Sequence, residues 1–151
     1  MAFASDLTVV PISTLAAIAQ QTYENHQQKY VLAGIDARME EMYWGCYQLG
    51  KNQLMTLVGE EKVSKPEGIN LDISTQWCGA GSAWERYSEF LQTHLGKQIT
   101  HTYPDYFPRS ACIVKLAVEA YKQGKSVKAS DALPVYLRNN VAKKKADQKI
   151  K

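Results

Sequence analysis

The residues best suited to chemistry in this sequence lie in one short segment, Asp36-Ala-Arg-Met-Glu-Glu41, which two aromatic residues follow closely. Asp36, Arg38 and Glu41 place two carboxylates and a guanidinium within six residues, with Tyr43 and Trp44 just beyond them. Carboxylates ligate divalent cations, and a guanidinium pairs with phosphate or with a partner's carboxylate. The same charges are also the ordinary residues of a solvated hairpin turn, where they pair locally with one another. The residues alone leave both interpretations open.

A second candidate is the glycine-rich turn Gly79-Ala-Gly81-Ser82, which lies between a strand-like and a helix-like segment. Backbone N–H groups at such a turn can bind a phosphate, so Gly79 and Gly81 are candidates for contact with a nucleotide. The turn lacks the third glycine of a dinucleotide fingerprint and the Gly-Lys-Ser/Thr of a P-loop. A tight strand-to-helix turn explains the two glycines equally well.

Nucleophile and metal-ligand patterns give no support for catalysis. The cysteines are Cys46, Cys78 and Cys112, and the histidines are His26, His94 and His101. Three widely spaced cysteines without a C-x-x-C pair argue against a disulfide framework and a zinc ribbon, and we expect reduced, mostly buried thiols. The sequence has no H-E-x-x-H and no G-x-S-x-G motif. We therefore expect no catalytic residue, no metal site and no cofactor.

Composition and charge indicate a globular chain with a basic end. The chain has 151 residues, of which 45% are hydrophobic and 22% charged, enough to form a core. Its net charge is +3, but residues 138–151 alone carry +5, so the remainder is slightly acidic. We expect a domain over residues 1–142 and a disordered basic tail over 143–151, with RNA binding by that tail as an alternative. No apolar run reaches the ~20 residues that a membrane span needs, and no secretory leader is evident, so we expect a cytoplasmic protein.

The first half of the chain predicts one helix and an antiparallel meander. Ser13 is a good N-cap for a helix that ends in the polar cluster 24–29. Strand-like segments follow at 30–36, 42–49 and 54–58. The polar segment that begins at Asp36 then forms the turn between the first two strands. No strand is predicted in residues 2–10, ahead of the helix, so either a partner contributes the first strands of the sheet or the chain is a fragment of a longer protein.

The second half alternates helices and strands. We expect a helix from Trp84 to Leu95, a strand at 99–103, and a helix capped by Ser110 that ends at Gly124. The predicted core face of this last helix consists of Ile113, Leu116, Ala117, Ala120 and Tyr121. A final short strand is predicted at 135–137, after Pro134. The predicted fold class is α/β, a mixed β-sheet with helices packed on it.

Three stretches in order resemble the YeaZ/TsaB family of bacterial proteins: the helix start Ser13-Thr-Leu15, the segment Ile35-Asp-Ala-Arg-Met-Glu-Glu-Met-Tyr-Trp44, and the ending Pro134-Val-Tyr-Leu-Arg-Asn-Asn-Val-Ala142. The resemblance covers residues 3–144. It implies the C-terminal lobe of an actin-like ATPase (ribonuclease-H-like) fold, and it identifies the chain as a C-terminal fragment without the N-terminal lobe. That lobe would supply the strands missing ahead of the first helix.

The resemblance implies a non-catalytic scaffold in the biosynthesis of tRNA threonylcarbamoyladenosine, an inactive paralogue of the catalytic subunit TsaD, often named M22 peptidase-like. The implied partners are TsaD-type and TsaE-type subunits, a second copy when the partner is absent, and tRNA only indirectly. The histidine pair that binds metal in TsaD has no counterpart here. A nucleotide-binding ATPase-like protein of the same fold is the alternative, and a peptidase is the least supported reading.

Family motifs single out the candidate partner-binding residues. Asp36, Arg38, Glu41, Tyr43 and Trp44 match the most recognisable motif of the family. Matches to its C-terminal motif are Tyr136, Arg138 and Asn139. We expect the first group, together with Arg138 and Asn139, to contact a partner, because so much charge gathers at one strand end.

Overall fold

The structure is a computed structural model that describes residues 2–138. Its helices are α1 (Thr14–His26), α2 (Ala83–Arg86), α3 (Ser88–Leu95) and α4 (Ser110–Lys122). Its strands are β1 (Thr8–Val9), β2 (Tyr30–Asp36), β3 (Met42–Leu49), β4 (Met55–Ser64), β5 (Trp77–Ala80), β6 (Ile99–Tyr103) and β7 (Val127–Lys128). The predicted α/β class, a mixed sheet with packed helices, is confirmed.

The main sheet has five strands in the order β4-β3-β2-β5-β6. Strands β2, β3 and β4 form the predicted antiparallel meander, and β5 and β6 run parallel to β2. Four consecutive residues of β2 are buried, which is typical of a central strand covered on both faces. The carboxyl ends of β2, β5 and β6 meet at one edge of the sheet, where Asp36 emerges.

Helix α1 covers one face of the sheet and also contacts α4. The predicted N-cap is confirmed, since Ser13 Oγ accepts hydrogen bonds from the backbone N–H groups of Leu15 and Ala16. Gln20 is fully buried, yet its amide donates to the Gln53 carbonyl and accepts from the Met55 N–H. Because these bonds satisfy it, a polar side chain is tolerated where α1 meets β4.

Helices α2 and α3 cover the opposite face through Trp84, whose indole is 2% exposed. The ring packs on Gly79 so closely that a Cβ at that position would lie 2.3 Å from it. The indole N–H donates to the Leu32 carbonyl at 3.1 Å, which fixes the ring against the central strand. Gly81 has a φ of +103° and would bring a Cβ to 2.3 Å from the Gly34 carbonyl oxygen. Both glycines are therefore required by packing.

Several predicted element bounds are wrong. The third strand continues to Ser64, because Gly59, at a φ of +78°, allows an irregularity that keeps β4 paired with β3. The helix predicted from Trp84 to Leu95 is two helices, broken at Tyr87, whose backbone leaves the helical region. Residues 8–9, where no strand was predicted, pair with β7.

The C-terminal predictions also need correction. Ser110 is the first helical residue of α4 and not its cap; the preceding Arg109 is extended and makes no side-chain capping bond. Residues 135–137 form no strand; Val135 and Tyr136 instead project into solvent. The predicted tail, residues 143–151, lies outside the described residues.

The predicted core face of α4 is only partly a core. Cys112 is the residue of this helix that is fully buried, whereas Tyr121 is 62% exposed. Ile113, Leu116, Ala117 and Ala120 are half-buried. The inner side of α4 therefore packs on α1, but several of its apolar side chains stay partly exposed to solvent.

Within residues 2–138, no helix is long and apolar enough to cross a bilayer. The two longest, α1 and α4, have 13 residues each.

The contact between Trp84 and Gly79 predicts a stability effect. Replacing Gly79 by Ala forces a methyl group into a ring that cannot move, and we expect a loss of about 1–3 kcal/mol in the free energy of unfolding. Urea denaturation measures it. The control is Gly68→Ala, whose new Cβ meets only the Ser64 side chain at 3.0 Å, and which we expect to cost about 1 kcal/mol or less. Equal losses in the two variants would contradict the assignment.

Candidate functional site

The polar segment that the sequence singles out forms the hairpin between β2 and β3. Arg38, Met39 and Glu40 have φ angles of 61°, 52° and 61°, so three successive non-glycine residues are left-handed. We call these three residues the hairpin tip. Left-handed backbone costs roughly 1–2 kcal/mol per residue, so surrounding contacts must hold this conformation. Two backbone bonds close the turn, from the Ala37 N–H to the Glu41 carbonyl at 2.9 Å and from the Glu41 N–H to the Arg38 carbonyl at 3.0 Å.

Arg138 holds the hairpin from the far end of the chain. Its guanidinium pairs with the Glu41 carboxylate and donates to the Ala37 carbonyl at 3.1 Å. The guanidinium carbon also lies 5.9 Å from the centre of the Tyr43 ring, a cation–π distance. The Arg138 side chain is 12% exposed and that of Glu41 32% exposed, so solvent screens this pair only partly. We call these contacts the Arg138 clasp.

Asp36 is fixed by residues that follow β5. Its backbone N–H donates to Ser82 Oγ at 3.2 Å. The single O–H proton of Tyr87 is shared between two acceptors, Asp36 Oδ1 and the Glu41 carbonyl oxygen, each 3.1 Å from the hydroxyl oxygen. Asp36 Oδ1 also accepts from the Arg38 N–H at 3.0 Å, which supports the first left-handed residue. Burial and the hydrogen bond to Asp36 raise the pKa of Tyr87, so the phenol keeps its proton at neutral pH.

The carboxylates of Asp36 and Glu41 are therefore both engaged inside the molecule. Asp36 accepts hydrogen bonds from a backbone N–H and a phenol, and Glu41 is paired with a guanidinium. What the hairpin offers to solvent is its tip, including Met39, whose side chain is 67% exposed. Glu40 at the tip makes an exposed ion pair with Lys65 at 3.4 Å. The arrangement presents a shaped surface with charges of both signs.

The structure brings together five of the predicted partner-binding residues: Asp36, Arg38, Glu41, Tyr43 and Arg138. Trp44 does not join them, because successive strand residues point to opposite faces. Its indole is buried on the α2–α3 side and donates to Ser64 Oγ at 3.0 Å. Asn139 lies outside the described residues. The nucleotide contact predicted for Gly79 and Gly81 stays a prediction, since each glycine already has a packing role.

Sequence reasoning missed Tyr87 and Ser82, which were assigned to a helix and a turn without any link to Asp36. The only available signal was topological: in a mixed sheet the residues after β5 must lie beside the carboxyl end of β2. The helix breaks at Tyr87, which lets the Tyr87 side chain reach the hairpin, but no glycine or proline near this position indicates the break in the sequence.

The three cysteines are free thiols, and Cys78 and Cys112 are buried as predicted, while Cys46 is half-buried. Burial raises the pKa of Cys46 to about 11 and that of Cys78 to about 12. Burial and the nearby Glu24 carboxylate raise the pKa of Cys112 as well. All three are therefore protonated at neutral pH, which is the state of an unreactive thiol.

This geometry predicts weak thiol reactivity in the folded chain. At pH 7.5 we expect Cys46 and Cys78 to resist iodoacetamide for hours and to react within minutes in 6–8 M urea, on the order of a hundredfold faster, because unfolding exposes them and restores an ordinary thiol pKa of about 8.5. Mass spectrometry of tryptic peptides measures each site. Rapid native labelling of Cys78 would contradict the burial described.

The Arg138 clasp predicts an energetic coupling. In a double-mutant cycle of Arg138→Ala with Glu41→Ala, we expect a coupling of about 1–3 kcal/mol in the free energy of unfolding, because the pair is partly buried and charge-assisted. The matched control is the cycle of Lys65→Ala with Glu40→Ala in the same hairpin, where exposure limits the coupling to about 0–0.5 kcal/mol. Equal coupling energies in the two cycles would show that the Arg138 clasp does not stabilise the hairpin more than an exposed ion pair does.

Comparison with known proteins gives the family. Residues 1–146 match the family model described as TsaD, tRNA N6-adenosine threonylcarbamoyltransferase. The protein named tRNA threonylcarbamoyladenosine biosynthesis protein TsaB of Escherichia coli (strain K12) is 34% identical over 151 residues, covering 96% of this chain and 63% of that protein. The protein of the same name from Haemophilus influenzae is 35% identical over 156 residues with the same coverage.

Solved structures agree with the sequence comparison. A Pseudomonas aeruginosa protein described as uncharacterized with similarity to peptidase YEAZ superposes with a TM-score of 0.82 at 38% identity, covering 91% of this chain and 62% of that one. YeaZ from the same organism gives a TM-score of 0.81, also at 38% identity, covering 90% of this chain and 62% of its own. These matches confirm the expected actin-like (ribonuclease-H-like) fold.

The chain spans about 63% of the length of the curated relatives it matches. Its family model covers nearly every residue, and its relatives carry the names TsaB and YeaZ. The chain therefore belongs to the family of TsaD, tRNA N6-adenosine threonylcarbamoyltransferase, as one of its YeaZ/TsaB members.

Proposed function

We propose that this chain serves tRNA threonylcarbamoyladenosine biosynthesis as a non-catalytic scaffold that pairs with the catalytic TsaD-type subunit. The relatives named TsaB, which match 96% of the chain, support the pathway. The observation that carries the scaffold role is the Arg138 clasp. It commits the carboxylate of Glu41 to an internal ion pair while it holds the exposed tip in one conformation.

The contacts of Asp36 and Glu41 favour a binding surface over a reactive one. A general base or a metal ligand needs a carboxylate with lone pairs facing a substrate or ion. One carboxylate oxygen of Asp36 accepts hydrogen bonds from the Arg38 N–H and the Tyr87 hydroxyl, and the carboxylate of Glu41 forms an ion pair with Arg138. If the carboxylate of Asp36 or Glu41 turned to a substrate or an ion, it would lose the contacts that hold the hairpin. Asp36 and Glu41 therefore hold the hairpin tip in its conformation.

The tip suits a protein partner. A loop already fixed in its bound shape loses little conformational entropy on association, so each contact contributes more to affinity. Arg38 can pair with a partner's carboxylate, and Met39 offers an adaptable apolar contact beside it. In this proposal a TsaD-type subunit binds the tip, with a TsaE-type subunit in the same assembly and a second copy of the chain in the partner's absence. Contact with tRNA is indirect, the compartment is the cytoplasm, and residues 1–142 act as the folded unit.

Charge reversal at the tip tests the partner contact. We expect Arg38→Glu combined with Met39→Ser to weaken binding to a purified TsaD-type subunit about tenfold or more, measured by biolayer interferometry. The described contacts of Arg38 use its backbone N–H and carbonyl, so its side chain can change while the ion pair of Arg138 with Glu41 remains. Met39→Ser removes one weak exposed contact, between an Arg138 N–H and the Met39 sulfur at 3.8 Å. Urea denaturation should show the free energy of unfolding unchanged within about 0.5 kcal/mol.

Arg109→Glu is the matched control, an equal charge change at an exposed position before α4, and we expect it to bind as the unaltered chain does. Equal binding by the tip variant would remove the tip as the contact. Transfer of threonylcarbamoyl groups to tRNA by the purified chain alone would overturn the non-catalytic role.

A further inference from the structure

A groove of about 410 Å³ lies at the end of the molecule where α4, the start of α1 and the β3–β4 turn meet. Its apolar lining residues include Ile12, Ala16, Leu54, Leu116 and Ala120. Its polar lining residues include Lys51, Asn52, Glu119, Gln123 and Lys125. A volume of this size falls within the range of small-molecule sites, which combine an apolar lining with a few placed polar groups.

The groove accounts for the incomplete burial of α4. Leu116 and Ala120 point inward on the most regularly patterned helix of the chain, yet both stay half-buried because they line the groove. The groove is open to solvent, so a ligand that covers its apolar side chains is favoured in proportion to the apolar area that it removes from water. A hydrogen bond from Asn52 to Glu119, at 3.1 Å, spans α4 and the turn.

Two lysines give the groove a positive character. Among residues 2–138, neither Lys51 nor Lys125 has a carboxylate within ion-pair distance. Both are placed by hydrogen-bonded turns: the Gly50 N–H donates to the Leu54 carbonyl at 2.8 Å, and the Lys125 N–H donates to the Ala120 carbonyl at 3.0 Å.

Glu119 is the acidic residue in the lining, and its carboxylate is already engaged. Its Oε1 accepts hydrogen bonds from Asn52 Nδ2 and Gln123 Nε2, each at 3.1 Å. The net charge of the lining is therefore +1, and within the part of the chain that the structure describes its two lysines have no carboxylate partner.

We propose that this groove binds a small apolar carboxylate, with its hydrocarbon part on Ile12, Ala16, Leu116 and Ala120 and its carboxylate at Lys51 and Lys125. The ring or a chain of four to six carbons covers the apolar lining residues, which burial favours. The carboxylate selects the ligand through its charge, and this part of the affinity weakens as salt screens the lysines. This site is independent of the hairpin tip and of the proposed scaffold role.

A matched pair of probes tests the proposal. 4-Phenylbutanoate carries a ring, a short chain and one carboxylate, whereas 4-phenylbutan-1-ol replaces the carboxylate by a neutral hydroxyl. Titration of each into the isotopically labelled chain, followed by amide chemical shifts, should show saturable changes at Gly50–Gln53 and Leu116–Lys125. We expect the acid to bind about tenfold more tightly than the alcohol, the effect of two partly screened charge pairs.

Three variants separate the parts of the site. In the double variant Lys51→Gln with Lys125→Gln, we expect the acid to bind only as tightly as the alcohol. The control is Lys29→Gln with Lys97→Gln, which makes the same charge change outside the groove and should keep the tenfold preference for the acid. Ala120→Trp fills the groove and should abolish saturable binding of both probes with the amide spectrum still dispersed. If that variant does not fold, the two lysine pairs decide the question.

Three outcomes would overturn the site: absence of saturable binding by 4-phenylbutanoate up to 10 mM, equal affinity for acid and alcohol in the unaltered chain, or loss of the preference in both lysine pairs alike. Each leaves the scaffold proposal standing, because binding of a TsaD-type subunit at the hairpin tip is measured separately.

Discussion

The packing of Trp84 on Gly79 is the contact on which the rest of the site depends. The indole lies flat where β5 has no side chain and is anchored to the central strand through the Leu32 carbonyl. This contact fixes α2 directly beyond the carboxyl end of β5. Ser82 and Tyr87, at either end of that short helix, then reach Asp36. A larger residue at position 79 would move the helix and with it two of the groups that hold the hairpin.

The hairpin itself illustrates how a fold can turn reactive residue types into structural ones. Carboxylates beside a guanidinium are typical of binding and catalytic sites, but here the guanidinium that matters is that of Arg138, about a hundred residues away. The ion pair and the phenol of Tyr87 offset the cost of three left-handed residues. Asp36 Oδ1 and Glu41 Oε2 thus both take part in holding the left-handed hairpin tip.

The two candidate surfaces differ in kind. The hairpin tip is a protrusion with exposed side chains of both charges and an apolar methionine, which suits a protein partner. The groove beside α4 is concave and lined by apolar residues together with two lysines and one glutamate, which suits a small apolar anion. They lie on different elements, since the tip joins β2 to β3 whereas the groove lies at the β3–β4 turn and α4.

Local patterns predicted most elements of the fold. The cap at Ser13, the strands at 30–36, 42–49 and 99–103 and the end of α4 all follow from periodicity and stop signals, which depend on near neighbours in sequence. The errors occur where distant residues decide. The β1–β7 pair joins segments nearly 120 residues apart, and the break at Tyr87 serves a contact with Asp36.

For the candidate site, the sequence by itself determined which residue types lie together at the hairpin, and the ending that contains Arg138 pointed to the same family. Only the tertiary structure decided their roles. Strand alternation sends Trp44 into the core while Tyr43 faces Arg138, and the clasp forms because the chain returns to the hairpin after α4. Such pairings depend on packing between residues that are far apart in sequence, and the spacing of residue types along the chain does not predict them.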